Sequence, residues 1–394
     1  MTEHDSLLHH PEMRMLTKRE PRRVDACDVV VVGAGLLGAL VAARLTREGF
    51  DTAILEARHV TGGATGRSLG MVLPGLPQDY SWAVSVYGRQ RAREIWALTV
   101  GGRDRLVEAA ERLGVPIQRT ASLALASDDD EADALWESAK LLQEDGFDVS
   151  YSLSDPLDRG FQAVLQQQGG VMVNAAVLTR AVLAAAGAGP EPAEGVTVRE
   201  GTEVYALEPT GDDIRVWAYR RTVLCSAVVL AVNGYAPLVH PYLADAVTPV
   251  RGLVFAAGPL KGVRLDQPCT AGRGWTFLRA LPDGRLLAGT WLRRRPRARD
   301  EHPAEALGRF MARHFPEVDL NSVDRWSEVV GFTPDGLPLL GEMPGLPAVH
   351  FAAGFGGRGL SWAFVAAERL VDAMLQSSEL GLLSAARLTG RGRP

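Results

Sequence analysis

A glycine motif between a buried strand and a helix constrains this chain more than any other feature. Gly33, Gly35 and Gly38 follow a run of valines typical of a strand buried on both faces, and an apolar helix is predicted over Leu36–Glu48. A second buried strand at Thr52–Leu55 completes a βαβ unit. The three glycines respectively permit a tight turn, close approach of a pyrophosphate and close helix–strand packing. The motif therefore predicts a dinucleotide site at the N-terminus of this helix.

The residues after the second strand indicate which dinucleotide binds. Glu56 ends that strand, where its carboxylate can accept hydrogen bonds from both ribose hydroxyls and would repel the 2′-phosphate of NADP. A cluster of glycines and hydroxyl side chains at residues 61–68 follows closely, and its N–H groups could hold a pyrophosphate from the other side. An extended FAD requires such a second loop, whereas an NAD dehydrogenase does not. The sequence therefore favours FAD, and a flexible surface loop is the alternative interpretation of residues 61–68.

Composition excludes several classes of protein. The chain has 394 residues, 46% of them hydrophobic and 23% charged, which is typical of a globular protein of two or three domains. Its net charge of −5 provides no overall basic field to attract nucleic acid or an anionic membrane, and the arginine run at 293–299 is interpreted as a solvated loop. Three widely separated cysteines and histidines without ligand spacing predict no metal site and favour a reducing cytoplasm. The longest uncharged apolar run, Val29–Ala43, is shorter than the about 20 residues of a membrane span.

The C-terminal part of the chain repeats the order of strand, glycine loop and helix. A strand is predicted at Val349–Ala353, the loop at 354–359 has the same glycine spacing, and a helix is predicted at Leu360–Leu375. No second strand or terminal acidic residue follows, so a second dinucleotide site is not expected. Instead, the N–H groups of this helix start and the guanidinium of Arg358 are predicted to stabilise negative charge at N1 and the C2 carbonyl of a reduced flavin. Arg358 is therefore the predicted catalytic residue.

Five ordered motifs resemble those of the FAD-dependent oxidoreductases of the D-amino acid oxidase superfamily. The resemblance is to the branch that contains sarcosine oxidase, glycine oxidase and γ-glutamylputrescine oxidoreductase-like enzymes, and it extends over roughly residues 27–375. The motifs are residues 33–38, 63–68, 231–237 and 249–252, and finally 333–341 together with 353–359.

The resemblance implies an α/β fold with two interleaved domains. A Rossmann-type FAD-binding domain would be assembled from residues 27–80, 151–248 and 326–380. An α+β substrate domain with an antiparallel sheet would comprise residues 81–150 and 249–325. Residues 1–26 are predicted to form a flexible arm, and residues 381–394 a tail.

The motifs and the resemblance together predict that FAD is bound without a covalent bond. Some relatives attach it through a histidine in the segment 63–68 or a cysteine shortly before the Thr-Pro-Asp-Gly sequence, but here these regions hold Arg67 and Glu328, and no cysteine follows Cys269. The predicted cofactor-binding residues are Gly33, Gly35, Leu36, Leu37, Gly38, Glu56, Ala57, Arg58, Thr65, Gly66, Arg67, Ser68, Val204, Gly354, Gly357, Arg358, Gly359 and Leu360.

The resemblance also implies the reaction. A hydride would pass from a C–H bond beside nitrogen to flavin N5, and the resulting imine would hydrolyse, without a catalytic histidine. The substrate would be an amine or an N-substituted amino acid, and the acceptor oxygen or another oxidant. Trp275, Phe277 and Arg279 share one face of a predicted strand and could hold a substrate with an apolar body and an anion. The alternative is that this face packs the domain core with Arg279 at its rim.

Two family features of the substrate site are absent from this sequence. Glycine oxidase-like members place a carboxylate-binding arginine four residues after the tryptophan equivalent to Trp326, where this chain has Val330. Sarcosine oxidase-like members use a lysine for oxygen activation on the strand equivalent to 285–291, which contains no lysine here. Two other functions stay open: a flavin-carrying subunit of a hetero-oligomeric dehydrogenase, and oxidation of a 2-hydroxy acid. The oligomeric state is not predicted.

Overall fold

A computed structural model describes residues 23–190, 195–259, 265–292, 303–320 and 323–388. Its strands, in chain order, are β1 (Arg23–Val32), β2 (Thr52–Leu55), β3 (Met71–Val72), β4 (Ile117–Ala126), β5 (Val149–Ser152), β6 (Ala163–Val173), β7 (Thr197–Arg199), β8 (Val204–Thr210), β9 (Asp213–Ala218), β10 (Arg221–Leu230), β11 (Thr248–Ala257), β12 (Cys269–Ala271), β13 (Thr276–Ala280), β14 (Leu286–Leu292), β15 (Asp324–Phe332), β16 (Leu339–Met343) and β17 (Leu346–Ala353). Its α-helices are α1 (Leu36–Arg47), α2 (Ala64–Arg67), α3 (Tyr80–Tyr87), α4 (Arg89–Arg112), α5 (Asp129–Glu144), α6 (Ala175–Ala185), α7 (Pro241–Ala246), α8 (Pro303–His314) and α9 (Gly359–Gln376).

The first sheet has the predicted βαβ unit at its centre. Its strand order is β16-β17-β10-β1-β2-β7, with β17, β10, β1, β2 and β7 parallel, and β9 pairs antiparallel with both β10 and β8. Val31 packs into the core formed with α1 and α9, whereas its neighbour Val30 packs into a second core formed with β10, β17 and α7. Both faces of β1 are therefore covered, as its continuous run of valines predicts.

The second sheet has the order β15-β11-β14-β13-β12-β4-β6-β3, with β5 paired to β6. All of its pairings are antiparallel except that of β12 with β4. The predicted fold class, a parallel nucleotide-binding sheet combined with a mainly antiparallel one, is confirmed.

Sheet membership differs from the predicted domain boundaries at three strands. β3, β6 and nearly all of β15 belong to the second sheet, although they fall in segments 27–80, 151–248 and 326–380 that were assigned to the FAD-binding domain. β6 lies there because it pairs with β4, some 40 residues earlier, and β15 because it pairs along its whole length with β11. Such pairings between distant segments leave no local sequence pattern.

Local sequence features set the ends of the helices in the middle of the chain. α3 and α4 are separated at Gly88, whose φ of +81° is a conformation that glycine adopts without strain. α5 begins at Asp129, because the Asp128 side chain accepts a hydrogen bond from the Glu131 N–H and caps the helix.

The ends of the chain are described only in part. Arg23 already belongs to β1, so the predicted arm at 1–26 is too long, and residues 1–22 lie outside the described range. In the predicted tail, Arg387 forms an ion pair with Asp335 at 2.8 Å, whereas residues 389–394 and the arginine run 293–299 also lie outside the described range. Within the described residues, none of the helices combines the length and apolar character needed to cross a bilayer.

Candidate functional site

Residues of both sheets line one central cavity of about 650 Å³. Its lining comes from five regions: the turn and helix start at 33 and 35–37; residues 55–58, 63–65 and 68–71; residues 203–205, 231–233, 235 and 238–239; Phe277, Trp291 and residues 328–330 of the second sheet; and the tail loop at 355–360.

The glycine turn is held in place by contacts that a side chain would break. Gly33 has a φ of +106°, and a Cβ there would lie 2.8 Å from the carbonyl oxygen of Ala231. A Cβ at Gly38 would lie 2.0 Å from the carbonyl oxygen of Gly33, so Gly38 packs the helix on the turn and does not line the central cavity. Gly35 does line it, next to the first N–H groups of α1. This is the opening that a pyrophosphate at a helix N-terminus requires.

Glu56, the residue predicted to hold the ribose, lines the central cavity. Its carboxylate accepts hydrogen bonds from the N–H groups of Ala34 and Arg58, both at 2.9 Å. Each carboxylate oxygen has two lone pairs, so both retain capacity for ribose hydroxyls. Ala57, Arg58 and Val204 also line the central cavity.

The segment 61–68, predicted as a loop, contains the short helix α2. Thr65 accepts a hydrogen bond from the Leu36 N–H at 3.1 Å, which joins this segment to the glycine turn, and both Thr65 and Ser68 line the central cavity. Gly66 and Arg67 do not. A Cβ at Gly66 would lie 2.4 Å from the Thr61 carbonyl oxygen, and the Arg67 guanidinium donates to the Gly62 carbonyl. These two predicted cofactor-binding residues therefore do not face the central cavity, and their contacts instead fix the conformation of the segment.

The tail loop is tied to the second sheet by a side chain that the sequence analysis did not assign. The Asn233 side-chain oxygen accepts hydrogen bonds from the N–H groups of Gly331, Gly354 and Phe355 at 3.2–3.3 Å. Its only sequence signal was membership of the 231–237 motif. Gly354 does not line the central cavity, and a Cβ built there would lie 2.3 Å from a methyl carbon of Thr333. Residues 357–360 do line it.

Arg358 presents an unused donor at the start of α9. Among the described residues, its side chain makes one long hydrogen bond, 3.5 Å from Nη2 to the Leu76 carbonyl, and its Nε is buried without a hydrogen-bond partner. Burial lowers the pKa of the guanidinium to about 10, so it remains a cation at neutral pH. A buried, unpartnered donor costs free energy unless a ligand satisfies it. The site therefore fits a group that brings an acceptor or negative charge, as a flavin does.

The second sheet supplies an aromatic wall to the central cavity. Phe277 and Trp291 line it with ring centroids 5.1 Å apart. The other two residues predicted for the substrate pocket do not line it: Trp275, which precedes β13, stacks on Phe332, and the Arg279 guanidinium donates to the Leu69 carbonyl. Arg279 is thus held by backbone instead of being presented to a substrate. This outcome corresponds to the alternative of core packing.

Glu328 is a functional candidate that was not predicted as a site residue. From the sequence it was named only because it stands in the region where some relatives have a flavin-linking cysteine. It lies on β15, is 5% exposed and lines the central cavity. Burial raises the pKa of its carboxyl to about 8, an effect that the charge of Arg67 opposes. The sequence carried a signal, because Trp326, Glu328 and Val330 alternate along a strand and the two flanking residues are apolar.

The comparisons with known proteins agree with this geometry. A family model described as FAD dependent oxidoreductase matches residues 28–373. The chain is 22% identical over 388 residues to a probable oxidoreductase OrdL of Haemophilus influenzae, covering 91% of this chain and 85% of that protein. It is 26% identical over 369 residues to a glycine oxidase of Pseudomonas aeruginosa, covering 88% and 94% respectively.

The fold is also that of a solved relative. The crystal structure of glycine oxidase from Geobacillus kaustophilus matches with a TM-score of 0.72 and 23% identity, over 91% of this chain and 96% of that one. The family match over nearly the whole described chain, the glycine turn and the buried cation of the tail loop all indicate one cofactor, FAD. This chain belongs to the FAD-dependent oxidoreductase family of the D-amino acid oxidase superfamily.

Proposed function

We propose that this protein oxidises the carbon–nitrogen bond of an amine or an N-substituted amino acid. The observation that carries the proposal is the continuity of the central cavity, which runs from the glycine turn at Gly33 and Gly35 to the aromatic wall of Phe277 and Trp291. One end suits a pyrophosphate and the other an apolar organic body. The similarity to glycine oxidases supports a substrate that contains nitrogen.

The proposed division of labour follows the lining. FAD, when bound, supplies N5 as the acceptor of a hydride from the carbon beside nitrogen. The α1 N-terminus at Gly35 and Leu36 holds the pyrophosphate, and Glu56 holds the ribose. Arg358 and the N–H groups at the start of α9 stabilise negative charge, and Phe277 with Trp291 excludes water from the reacting carbon. The amine reacts as its free base, after its ammonium proton has passed to solvent, and the nitrogen lone pair forms the new double bond as the hydride leaves. Water then hydrolyses the resulting iminium to a carbonyl compound and a protonated amine or ammonium.

The proposed domains follow from the same lining. The first sheet with α1, α2 and the tail loop forms the FAD-binding part, and the second sheet forms the substrate part. We further propose a cytoplasmic location, because Cys27, Cys225 and Cys269 are all unpaired.

We expect the flavin to be bound without a covalent bond. The segment 63–68 contains Arg67 and no histidine, Glu328 stands before the Thr-Pro-Asp-Gly sequence, and Cys269 is buried in a separate core on β12. Denaturation with acid or heat should therefore release all of the yellow chromophore. Ultrafiltration of the denatured protein, followed by a fluorescence scan of a denaturing gel, tests this. A fluorescent protein band on the gel would contradict it.

A turnover screen tests the proposed function. The full chain with FAD is offered amines, N-substituted amino acids, α-amino acids and 2-hydroxy acids, each with oxygen or with an artificial acceptor. We expect turnover of an amine or N-substituted amino acid, faster with the artificial acceptor, because β14 has no lysine and presents the apolar Leu287 to the core beside the central cavity. The buried Val330 in place of an arginine also disfavours simple α-amino acids.

Each rival function predicts a different result in this screen. Turnover of a 2-hydroxy acid alone would replace the proposed substrate class. Rapid, stoichiometric peroxide formation in air would overturn the expected acceptor preference. Flavin that no substrate reduces, combined with a native mass that rises when a partner subunit is added, would support the hetero-oligomeric alternative.

A further inference from the structure

We propose that Glu328 controls electron uptake at the FAD site through its own charge: neutral, it permits reduction of the flavin, and ionised, it opposes it. Glu328 would thus act on the reduction potential of the flavin through its charge, and it would not react with the substrate. The inference rests on FAD binding and is independent of the proposed amine substrate.

The location of Glu328 brings its charge between the two segments predicted to hold FAD. On one side, Trp326 of the same strand donates from its indole to the Arg67 carbonyl at 2.9 Å, which fixes β15 against α2. On the other side, Trp291 lines the central cavity and lies against the tail loop, because a Cβ at Gly357 would be 3.1 Å from its ring. Glu328 lies beside Trp291, since a Cβ at Gly252 would be 2.8 Å from the Trp291 ring and 3.0 Å from the Glu328 side chain.

The carboxyl of Glu328 is buried without being paired. No hydrogen bond joins it to any residue in the described part of the chain, and the side chain lines the central cavity. The elements packed against it offer little compensating charge. β11 contributes Gly252, β14 contributes Trp291, α2 contributes Arg67, whose guanidinium donates to the Gly62 carbonyl, and the turn at 233–238 contributes Tyr235, which lines the same cavity. The other charged side chains in the lining of the central cavity are Glu56, Arg58, Glu203 and Arg358. An isolated buried carboxyl of this kind favours its neutral form.

The direction of the effect follows from linkage. Burial raises the pKa of Glu328 to about 8, so the group is mainly neutral at pH 7 and ionises just above it. A carboxylate in the same cavity disfavours the negative charge that reduction brings, and by reciprocity reduction must raise the pKa of Glu328 further. Glu328 thus has one pKa beside the oxidised flavin and a higher one beside the reduced flavin. At a pH between these two values, reduction takes up one additional proton, and the flavin potential therefore falls more steeply with rising pH.

The test compares the full-length, FAD-loaded wild type with Glu328→Gln, which keeps the shape of the neutral acid. The flavin potential and absorption spectrum are recorded from about pH 6 to about pH 10, two units on either side of the pKa. We expect the two proteins to have the same potential at the acidic end. At the alkaline end, the wild-type potential should be the lower one, and its spectral shift with a midpoint near 8 should be lost in the variant.

A matched control removes a carboxylate of the same type elsewhere. Glu137→Gln neutralises an exposed residue of α5 and should retain the wild-type curves. If the wild type and Glu328→Gln have parallel potentials over the whole range, the proposal is wrong. If Glu137→Gln changes the curves as much as Glu328→Gln does, the effect is one of net charge, and the proposal is equally wrong.

A measurement on the wild type keeps the proposal testable if Glu328→Gln fails to fold or to hold FAD. Infrared difference spectra of flavin reduction report protonated carboxyl groups directly, and Glu328→Asp retains a carboxyl with altered placement. We expect a carboxylic acid band that gains intensity on reduction near pH 8–9 and moves in Glu328→Asp. The absence of any carboxyl response to reduction across the pH range overturns the proposal. No amine is used in either test, so failure here is distinct from failure of the proposed substrate class.

Discussion

Replacement of Gly35 by aspartate is expected to abolish FAD binding while the chain remains folded. Gly35 is the N-cap of α1 and lines the central cavity, and a Cβ there would lie 3.1 Å from the Thr65 hydroxyl. The new carboxylate would occupy the space of the pyrophosphate and would itself accept hydrogen bonds from the first N–H groups of the helix. The ratio of flavin to protein absorbance after purification, followed by titration of the apoprotein with FAD, measures the loss.

A second glycine provides the control for charge and helix propensity. Gly308→Asp places the same side chain in α8, where a Cβ would have no neighbour nearer than 3.9 Å. This variant should retain full flavin occupancy, and circular dichroism should be the same for both variants. Full occupancy in Gly35→Asp would show that the pyrophosphate lies elsewhere.

Arg358→Met is expected to retain FAD but to slow its reduction by about 10²–10³-fold, corresponding to about 2.7–4 kcal/mol for one preorganised donor. Methionine keeps the length of the stem and removes the charge. The flavin potential should fall as well, because the lost cation lies at the start of α9 with its Nε buried and unpartnered among the described residues. Anaerobic stopped-flow reduction and a potentiometric titration give the two quantities.

The rival interpretation is that Arg358 is a surface residue in an ion pair worth at most about 1 kcal/mol. Within the described residues, no carboxylate lies in an ion pair with Arg358, and its one hydrogen bond goes to the Leu76 carbonyl. Arg105→Met removes a true surface ion pair, with Glu368 at 2.6 Å, and should leave the flavin potential unchanged. Arg358→Lys should restore part of the rate by restoring the charge. An unchanged potential and reduction rate in Arg358→Met would leave only the surface interpretation.

The cofactor end of the site could be predicted because its signals are local. The valines of β1, the glycine turn and Glu56 are close in sequence, and their spacing alone defines a strand, a helix start and a strand end. The loop before α9 could be predicted for the same reason. The sequence did not reveal which residues of the segment 61–68 face the central cavity. Thr65 faces it and Gly66 and Arg67 do not, because the short helix α2 turns them in different directions.

The substrate end was harder because it is built by distant pairings. The period of two correctly indicated that Phe277 faces inward, but it could not show that the Leu69 carbonyl holds Arg279 or that Phe332 stacks on Trp275. Glu328 was missed because its environment is assembled from α2, β11 and β14. A charged residue on the apolar face of a strand is nevertheless a visible contradiction, and such contradictions often mark functional sites.

The most direct test of the whole account is anaerobic reduction of the bound flavin by the best amine from the screen. The amine is compared with the same compound carrying deuterium on the carbon beside nitrogen. We predict complete bleaching of the flavin in a single turnover, slower with the deuterated amine, and formation of the carbonyl compound that imine hydrolysis releases. Flavin that stays oxidised with every amine but is bleached by a 2-hydroxy acid would contradict the account.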